Sequence, residues 1–358
     1  MEWQNIVMYF VGIALIYLAI KKKYEPALLL PLGFGTILMN LPESACSSGI
    51  IGWLFKVGIA SSEAMPILLF VGIGAMIDFS PLIQNPLLFF CGVFSQAGIF
   101  IGAYLAHLLG FTLNDAISAG MIGAADGPTA ILVSRTLNSQ YAGQITLAAY
   151  SYIALVPLIQ PLVAKVITTK KERLIRATDF SSKLQKPVSK KIKIIFPIAV
   201  ALISGLFAPQ SAQLVGFIMF GNLIRECGVL DNLAEAARTT LTNLITLFLG
   251  ITIAFTMRGQ DFVQTKTLLI LGIGLVAFVF DSAFGIFFVK ILNLFHKNKL
   301  NPLVGLAGIS AFPIASHVAQ KLATEEDSSN IILMQVAAAN VAGQICSAII
   351  GGVFISMG

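Results

Sequence analysis

Read with a window of about 20 residues, the length that crosses a bilayer as a helix, the chain alternates long apolar runs with short polar interruptions. The runs fall at 4–20, 27–41, 64–79, 86–111, 144–167, 192–207, 210–224, 242–257, 267–295 and 331–357. This pattern predicts an all-α polytopic membrane protein with ten transmembrane helices. Two further segments, 115–134 and 302–321, are apolar but dense in Gly, Pro and Ser. A regular lipid-facing helix does not carry such residues so densely, so both are expected to be broken, re-entrant helices.

Sliding the chain against itself reveals an internal repeat. Gly120-x-x-Gly123-x4-Pro128-x-Ala130 recurs as Gly305-x-x-Gly308-x4-Pro313-x-Ala315, an offset of 185. Upstream, Leu69-Phe70-x-Gly72-Ile73 recurs as Leu247-Phe248-x-Gly250-Ile251. With both broken segments re-entrant, the first enters from outside and the second from inside. The expected architecture is a pair of inverted repeats, as in secondary transporters whose site lies at the midplane between discontinuous helices. The division that follows is 1–60, N-terminal scaffold helices; 61–169, first repeat; 170–193, a basic loop; 194–239, linking scaffold helices; and 240–358, second repeat.

Charge fixes the expected orientation. Of 23 Lys and Arg, ten fall between Lys165 and Lys193, and juxtamembrane Lys and Arg stay cytoplasmic. That loop, Lys21 to Lys23, Arg225 with Arg238, and His296 to Lys299 then share the cytoplasmic side, with both termini outside. The basic loop has neither interleaved aromatics nor a folded module, so the net charge of +6 does not indicate a nucleic-acid partner. Lys21 to Lys23 follow the first apolar run, whereas a signal peptide has its charge before the run, so the run reads as a retained span.

Composition agrees with this picture: 57% of the 358 residues are hydrophobic, 11% are charged and mean hydropathy is +0.87. Soluble domains carry roughly a quarter charged residues. Cys46, Cys91, Cys227 and Cys346 are scattered with no CxxC, which reads as apolar filling rather than a metal knuckle or redox pair.

The candidate chemistry lies in the breaks. A Gly-Pro interruption frees backbone carbonyls and amides in hydrocarbon, and it persists only if protein, water or an ion satisfies them. Asp126 sits in Gly123-Ala124-Ala125-Asp126-Gly127-Pro128, and an acid at membrane depth usually marks an ion or proton path. The competing reading, an Asp-Gly-Pro turn in water, conflicts with the apolar runs on either side. The second break carries Ser310, preceded by Asn301 and followed by His317. Carboxylate, hydroxyl, amide and carbonyl oxygens suit a hard cation. His317 reads equally as a ligand or as a satisfied polar residue. Tyr150, Tyr152 and Asn340 are polar groups in the spans that follow the breaks, and each alone could be an interhelical hydrogen bond. Asp281, at the repeat position of Gln96, reads as a second functional carboxylate or as a buried paired group. No GxxxxGK[ST], Met-Lys-Met or GxSxG occurs, which leaves a cation-coupled secondary transporter as the reading from the residues alone.

Four stretches carry a family resemblance: GAADGPTAIL within Gly120–Ser134, AAYSYIALVPLIQP (Ala148–Pro161), FGNLIRECGV (Phe220–Val229) and NPLVGLAGISAFP (Asn301–Pro313). They resemble the membrane beta subunit of the sodium-translocating, biotin-dependent decarboxylases that serve oxaloacetate, methylmalonyl-CoA and glutaconyl-CoA. The resemblance implies an enzyme of the bacterial plasma membrane that takes carboxybiotin from a partner, releases CO2 with uptake of a proton and exports sodium. Sodium ion and biotin on a partner subunit are the implied cofactors. The implied partners are a biotin-carrier and carboxyltransferase alpha subunit, a small membrane gamma or delta subunit, and further copies of the chain. Carried over onto matching positions, the sodium-binding acid is Asp126, the functional tyrosine Tyr152, and the Asn, Gly and Ser of the second break Asn301, Gly305 and Ser310. With the polar groups read from the residues themselves, the candidate catalytic set is Tyr152, Asp126 and His317, and the candidate metal set is Asp126, Asn301, Ser310 and Asn340. Two departures stand out. His317 occupies the place of the family's usual Arg, and an imidazole changes charge near neutral pH where a guanidinium does not. Asp281 and Phe284 replace small residues. A stand-alone cation-coupled transporter or antiporter without decarboxylase activity is the alternative.

Overall fold

The computed structural model describes residues 2–23, 26–42, 49–60, 64–176 and 187–357. Among them the chain is helical throughout, with no strand. Cys46 and the centre of the basic loop, with Lys183 and Lys186, lie outside the described residues.

Every predicted apolar run contains a helix, but the ten expected spans are not all full-length. Among the described residues six helices are long and apolar enough to cross a membrane: Trp3–Lys21, Pro86–Leu108, Ala142–Ile167, Asp231–Thr256, Thr265–Phe295 and Leu333–Met357. Pro26–Met39 has 14 residues and Ala64–Met76 has 13, which at about 1.5 Å per residue falls short of a hydrocarbon core of about 30 Å. Ala212–Cys227 has 16 residues and Lys190–Phe207 has 18, of which Lys190, Lys191 and Lys193 are charged. Pro26–Met39 packs one face against protein, with Leu28, Leu29 and Leu32 buried beside Leu249, Ile253 and Met8, whereas Lys190–Phe207 leaves Ile195, Leu202, Leu206 and Phe207 exposed.

Both segments expected to be broken are broken. The first consists of Leu113–Gly120, a 3-10 turn Met121–Ala124 and a new helix Gly127–Thr136. Thr112 caps its first helix by accepting from the Asp115 N–H. The second consists of Leu303–Leu306, an irregular stretch and the helix Ile314–Glu326. Each break sits in a cradle formed by a long helix of the other half. Gly123 abuts Ala277 and Asp281 of Thr265–Phe295, while Gly308 abuts Cys91 and Ser95 of the kinked span Pro86–Leu108. No side chain fits at either contact, which is why glycine recurs there.

One end of the molecule is tied by ion pairs among the termini of these helices. Lys193 lies 3.7 Å from Asp78 and 3.5 Å from Glu226, and Arg225 lies 3.6 Å from Glu226. Arg173 pairs with Glu326 at 2.7 Å and Lys290 with Glu172 at 3.0 Å. The ends of the Ala142, Thr265 and Ile314 helices are thereby held together around the start of the basic loop.

Candidate functional site

Asp126 is placed by the first break itself. Ala125 takes the left-handed conformation at φ 50° and ψ 46°, uncommon for a residue with a side chain and a form of backbone strain that gathers at functional sites. The chain then reverses and Asp126 becomes the N-cap of Gly127–Thr136, where its charge meets the positive end of that helix. The carboxylate is 3% exposed. It accepts from the Thr129 N–H at 3.2 Å, the Thr129 hydroxyl at 2.6 Å, the Ser347 hydroxyl at 2.7 Å and the Gln344 amide at 3.3 Å. Gly127 leaves room for the ring of Tyr150, on which any Cβ would collide.

The second break meets the first directly. Ser310 donates to the Ala124 carbonyl through its backbone N–H at 3.2 Å and its hydroxyl at 2.9 Å. The carbonyls that this break frees are taken by side chains from surrounding helices. Ser95 donates to Gly305 O, Gln160 to Leu306 O, Gln96 to Gly308 O and Asn340 to Ile309 O. Asn340 also accepts from the Ser316 hydroxyl. The breaks are therefore satisfied by protein groups, with the carboxylate of Asp126 at their junction.

A cavity of about 260 Å³ opens at that junction, lined by Asp126, Tyr150, Ser310, Gln344 and, from the Asp231–Thr256 span, Asn243 and Thr246. The Tyr150 hydroxyl is buried without a hydrogen-bond partner. Carboxylate, hydroxyl and amide oxygens thus line a space large enough for an ion and waters, in the pattern of a hard-cation site.

The remaining predicted residues lie elsewhere. Tyr152 points away from the cavity, donating to Leu271 O at 2.6 Å and stacking near Phe278. Asn301 belongs to the ion-paired end, where its amide donates to the carbonyls of Arg173 and Ile175 and its oxygen accepts from the Leu303 N–H. Gly305 is a packing contact with Gly285. His317 is exposed on the first turns of Ile314–Glu326, and Asp281 is buried behind Gly123. The structure thus brings Asp126 and Ser310 together, with Asn340 directly behind Ser310's break. Sequence reasoning missed Thr129, Gln344, Ser347, Asn243 and Thr246. For Gln344 and Ser347 there was a signal, because with Asn340 they recur at helical spacing through an apolar span, and a polar stripe there must face other protein or a cavity.

Comparison with known proteins places this site in a family. Residues 4–358 match the family described as Na+-transporting oxaloacetate decarboxylase beta subunit. The chain is 41% identical to methylmalonyl-CoA decarboxylase subunit beta of Propionigenium modestum, over 99% of its own length and 94% of the relative's. It is 38% identical to the oxaloacetate decarboxylase beta chain of Klebsiella pneumoniae, covering 98% of this chain and 94% of that one. Glutaconyl-CoA decarboxylase subunit beta of Acidaminococcus fermentans is 39% identical, with 99% and 93% covered. A match along nearly the whole chain, on a helical membrane protein with an acid at the junction of two broken helices, shows that this chain belongs to the family of beta subunits of the Na+-transporting decarboxylases.

Proposed function

We propose that this chain releases CO2 from carboxybiotin carried by a partner subunit, with uptake of a proton, and couples that step to sodium export. The observation that carries the reading is the cavity at the junction of the breaks, where Asp126 and Ser310 face the same space. Relatives of similar identity are named for three different acyl substrates. What such chains share therefore lies after the acyl group has been handled, as a carboxyl carried on biotin would.

In this reading sodium binds to the Asp126 carboxylate. The hydroxyls of Thr129 and Ser347, which donate to it, rotate to offer lone pairs, and Ser310 and Gln344 complete an oxygen shell. Asn301 and Asn340 act at one remove, Asn301 by anchoring the second segment's start and Asn340 by holding its break. A carboxylate brought near the bound cation is stabilised electrostatically, and a proton delivered to the ureido nitrogen of biotin assists loss of CO2. Tyr150 faces the cavity and supplies the proton route there, whereas Tyr152, two residues on and turned to the other side of the same helix, is engaged with Leu271 O and lies off that route. Moving one positive charge against 100 mV costs about 2.3 kcal/mol, which the decarboxylation provides.

The two halves act as inverted repeats around this point. The reciprocal seating of Gly123 and Gly308 on the opposite half's helix supports that symmetry, and alternating access would move the repeat-derived unit against the scaffold helices. The ion-paired end faces the cytoplasm of a bacterial inner membrane, where the basic loop meets the carboxyltransferase and biotin-carrier subunit. A small membrane subunit and further copies of the chain complete the assembly. The deciding experiment is decarboxylation of carrier-bound carboxybiotin by the purified complex with and without sodium. Sodium-stimulated CO2 release with sodium uptake into vesicles supports the proposal, and ion transport without CO2 release would make the chain a stand-alone transporter.

A further inference from the structure

The Thr265–Phe295 helix carries an acid that the sodium site does not use. Asp281 is 0% exposed and lies where that helix meets the first broken segment and the restart of the kinked span at Ala97–Leu108. Its Oδ1 accepts from the Gly98 N–H at 2.5 Å, and the Ile99 N–H also reaches the carboxyl. Oδ2 is buried with no hydrogen-bond partner. That oxygen is pressed against the break: a Cβ built on Gly123 would lie 2.8 Å from it, a spacing that leaves no room for a metal ion with its own ligand shell.

Among the described residues no ion pair reaches this carboxyl. The kinked span carries Cys91, Tyr104 and His107, the broken segment Asp115, Asp126 and Arg135, the Ala142 helix Tyr150, Tyr152 and Lys165, and Leu333–Met357 Cys346. On its own helix, Lys266 lies over the Tyr141 ring and Lys290 pairs with Glu172. Asp281 accepts from the backbone N–H groups of Gly98 and Ile99. An ionised carboxylate in that setting keeps one oxygen unsatisfied and one charge unopposed. A proton on Oδ2 removes the charge and turns the orphan acceptor into a donor beside the Met121–Ala124 turn.

We propose that Asp281 is a proton-binding site, separate from the Asp126 site, that holds its proton while the first broken segment is seated on the Thr265–Phe295 helix. Gly123 is three residues from Asp126, so a shift of the break that opens Asp126 to one side of the membrane also uncovers Asp281 Oδ2 and releases the proton. This last step rests on the coupled function proposed above, whereas the proton site does not.

The test is infrared spectroscopy of the assembled complex in lipid across a pH series, followed by sodium-stimulated decarboxylation over the same series. The expected spectrum has a protonated-carboxyl C=O band at neutral pH that is absent from Asp281→Asn and Asp281→Ser and retained in Asp126→Asn. Spectra of both Asp281 variants that superimpose on the wild type would overturn the proton site, and this readout needs no turnover. In the activity series Asp281→Asn, permanently neutral, is expected to show a flatter dependence on pH than the wild type. Band loss with an unchanged activity profile would overturn the link to transport alone.

Discussion

Asp126 meets the cavity with four donors on its two oxygens, and this geometry decides what a substitution does. In Asp126→Asn the amide keeps the size but removes the charge, and its NH2 turns a donor toward the Thr129 and Ser347 donors. Sodium-stimulated decarboxylation should fall to background, and near-wild-type stimulation would remove Asp126 from the site. Ser310→Ala loses one neutral oxygen and the hydroxyl bond to Ala124 O, while the backbone bond of residue 310 survives. A net hydrogen bond is worth about 1 kcal/mol, so apparent sodium affinity should weaken roughly fivefold, measurable from the sodium dependence of the rate. His317 is exposed one turn past the break. In the proposed reading its ring donates to the incoming anion, so the carboxybiotin concentration profile of His317→Arg should match or exceed that of the wild type and that of His317→Ala should lie below it. Superimposable profiles of the three proteins would leave His317 with no part in catalysis. Asp126 was legible in the sequence because an acid amid apolar residues is costly and so marks a site. Thr129 and Ser347 were not, because hydroxyls are common in membrane helices and only the fold shows which of them reach the carboxylate.

At the scale of elements, the breaks were readable and their lengths were not. Gly, Pro and Ser density locates an interruption, since those residues either free or fail to make backbone bonds. Whether an apolar run of 13 or 14 residues spans a membrane or packs inside depends on what surrounds it. The tether at the start of the basic loop shows how elements are tied. Thr169 and Glu172 form a capping box, and Glu172 also pairs with Lys290. Partial burial raises the Glu172 carboxyl, but the Thr169 N–H, Lys290 and the Thr169 hydroxyl outweigh it and hold it below the usual carboxylate range. A lowered value in the folded state means that the stabilisation is present above the unfolded value, about 4.3, and is lost as pH falls through the folded one. Glu172→Gln should therefore lower the thermal midpoint at neutral pH by a small margin that closes in acid. A midpoint difference independent of pH would show that the tether acts through packing rather than charge.

For the whole molecule, the proposed orientation puts the Arg173, Glu326 and Lys290 end in the cytoplasm and the Asn138–Tyr141 turn outside. In a cysteine-free background, Gln140→Cys should react with an impermeant thiol reagent from the outside of intact cells, and Lys171→Cys only after lysis. The reverse pattern would invert the topology and, with it, the side from which carboxybiotin reaches the breaks.

The sequence by itself determined that the chain lives in a bilayer, where its two interruptions fall, that an acid occupies the first of them, and which family its motifs resemble. Those follow from composition, spacing and local backbone chemistry, which act over a few residues. Tertiary structure alone decided that the two breaks touch through Ser310 and Ala124, that Tyr150 rather than Tyr152 faces the cavity, that Asn301 anchors the ion-paired end, and that Asp281 is wedged behind Gly123. The physical reason is that apolar helices in hydrocarbon carry little pattern to say which face meets protein. Partners more than a hundred residues apart are chosen by close backbone approach at glycines and by which freed carbonyl each buried side chain can reach.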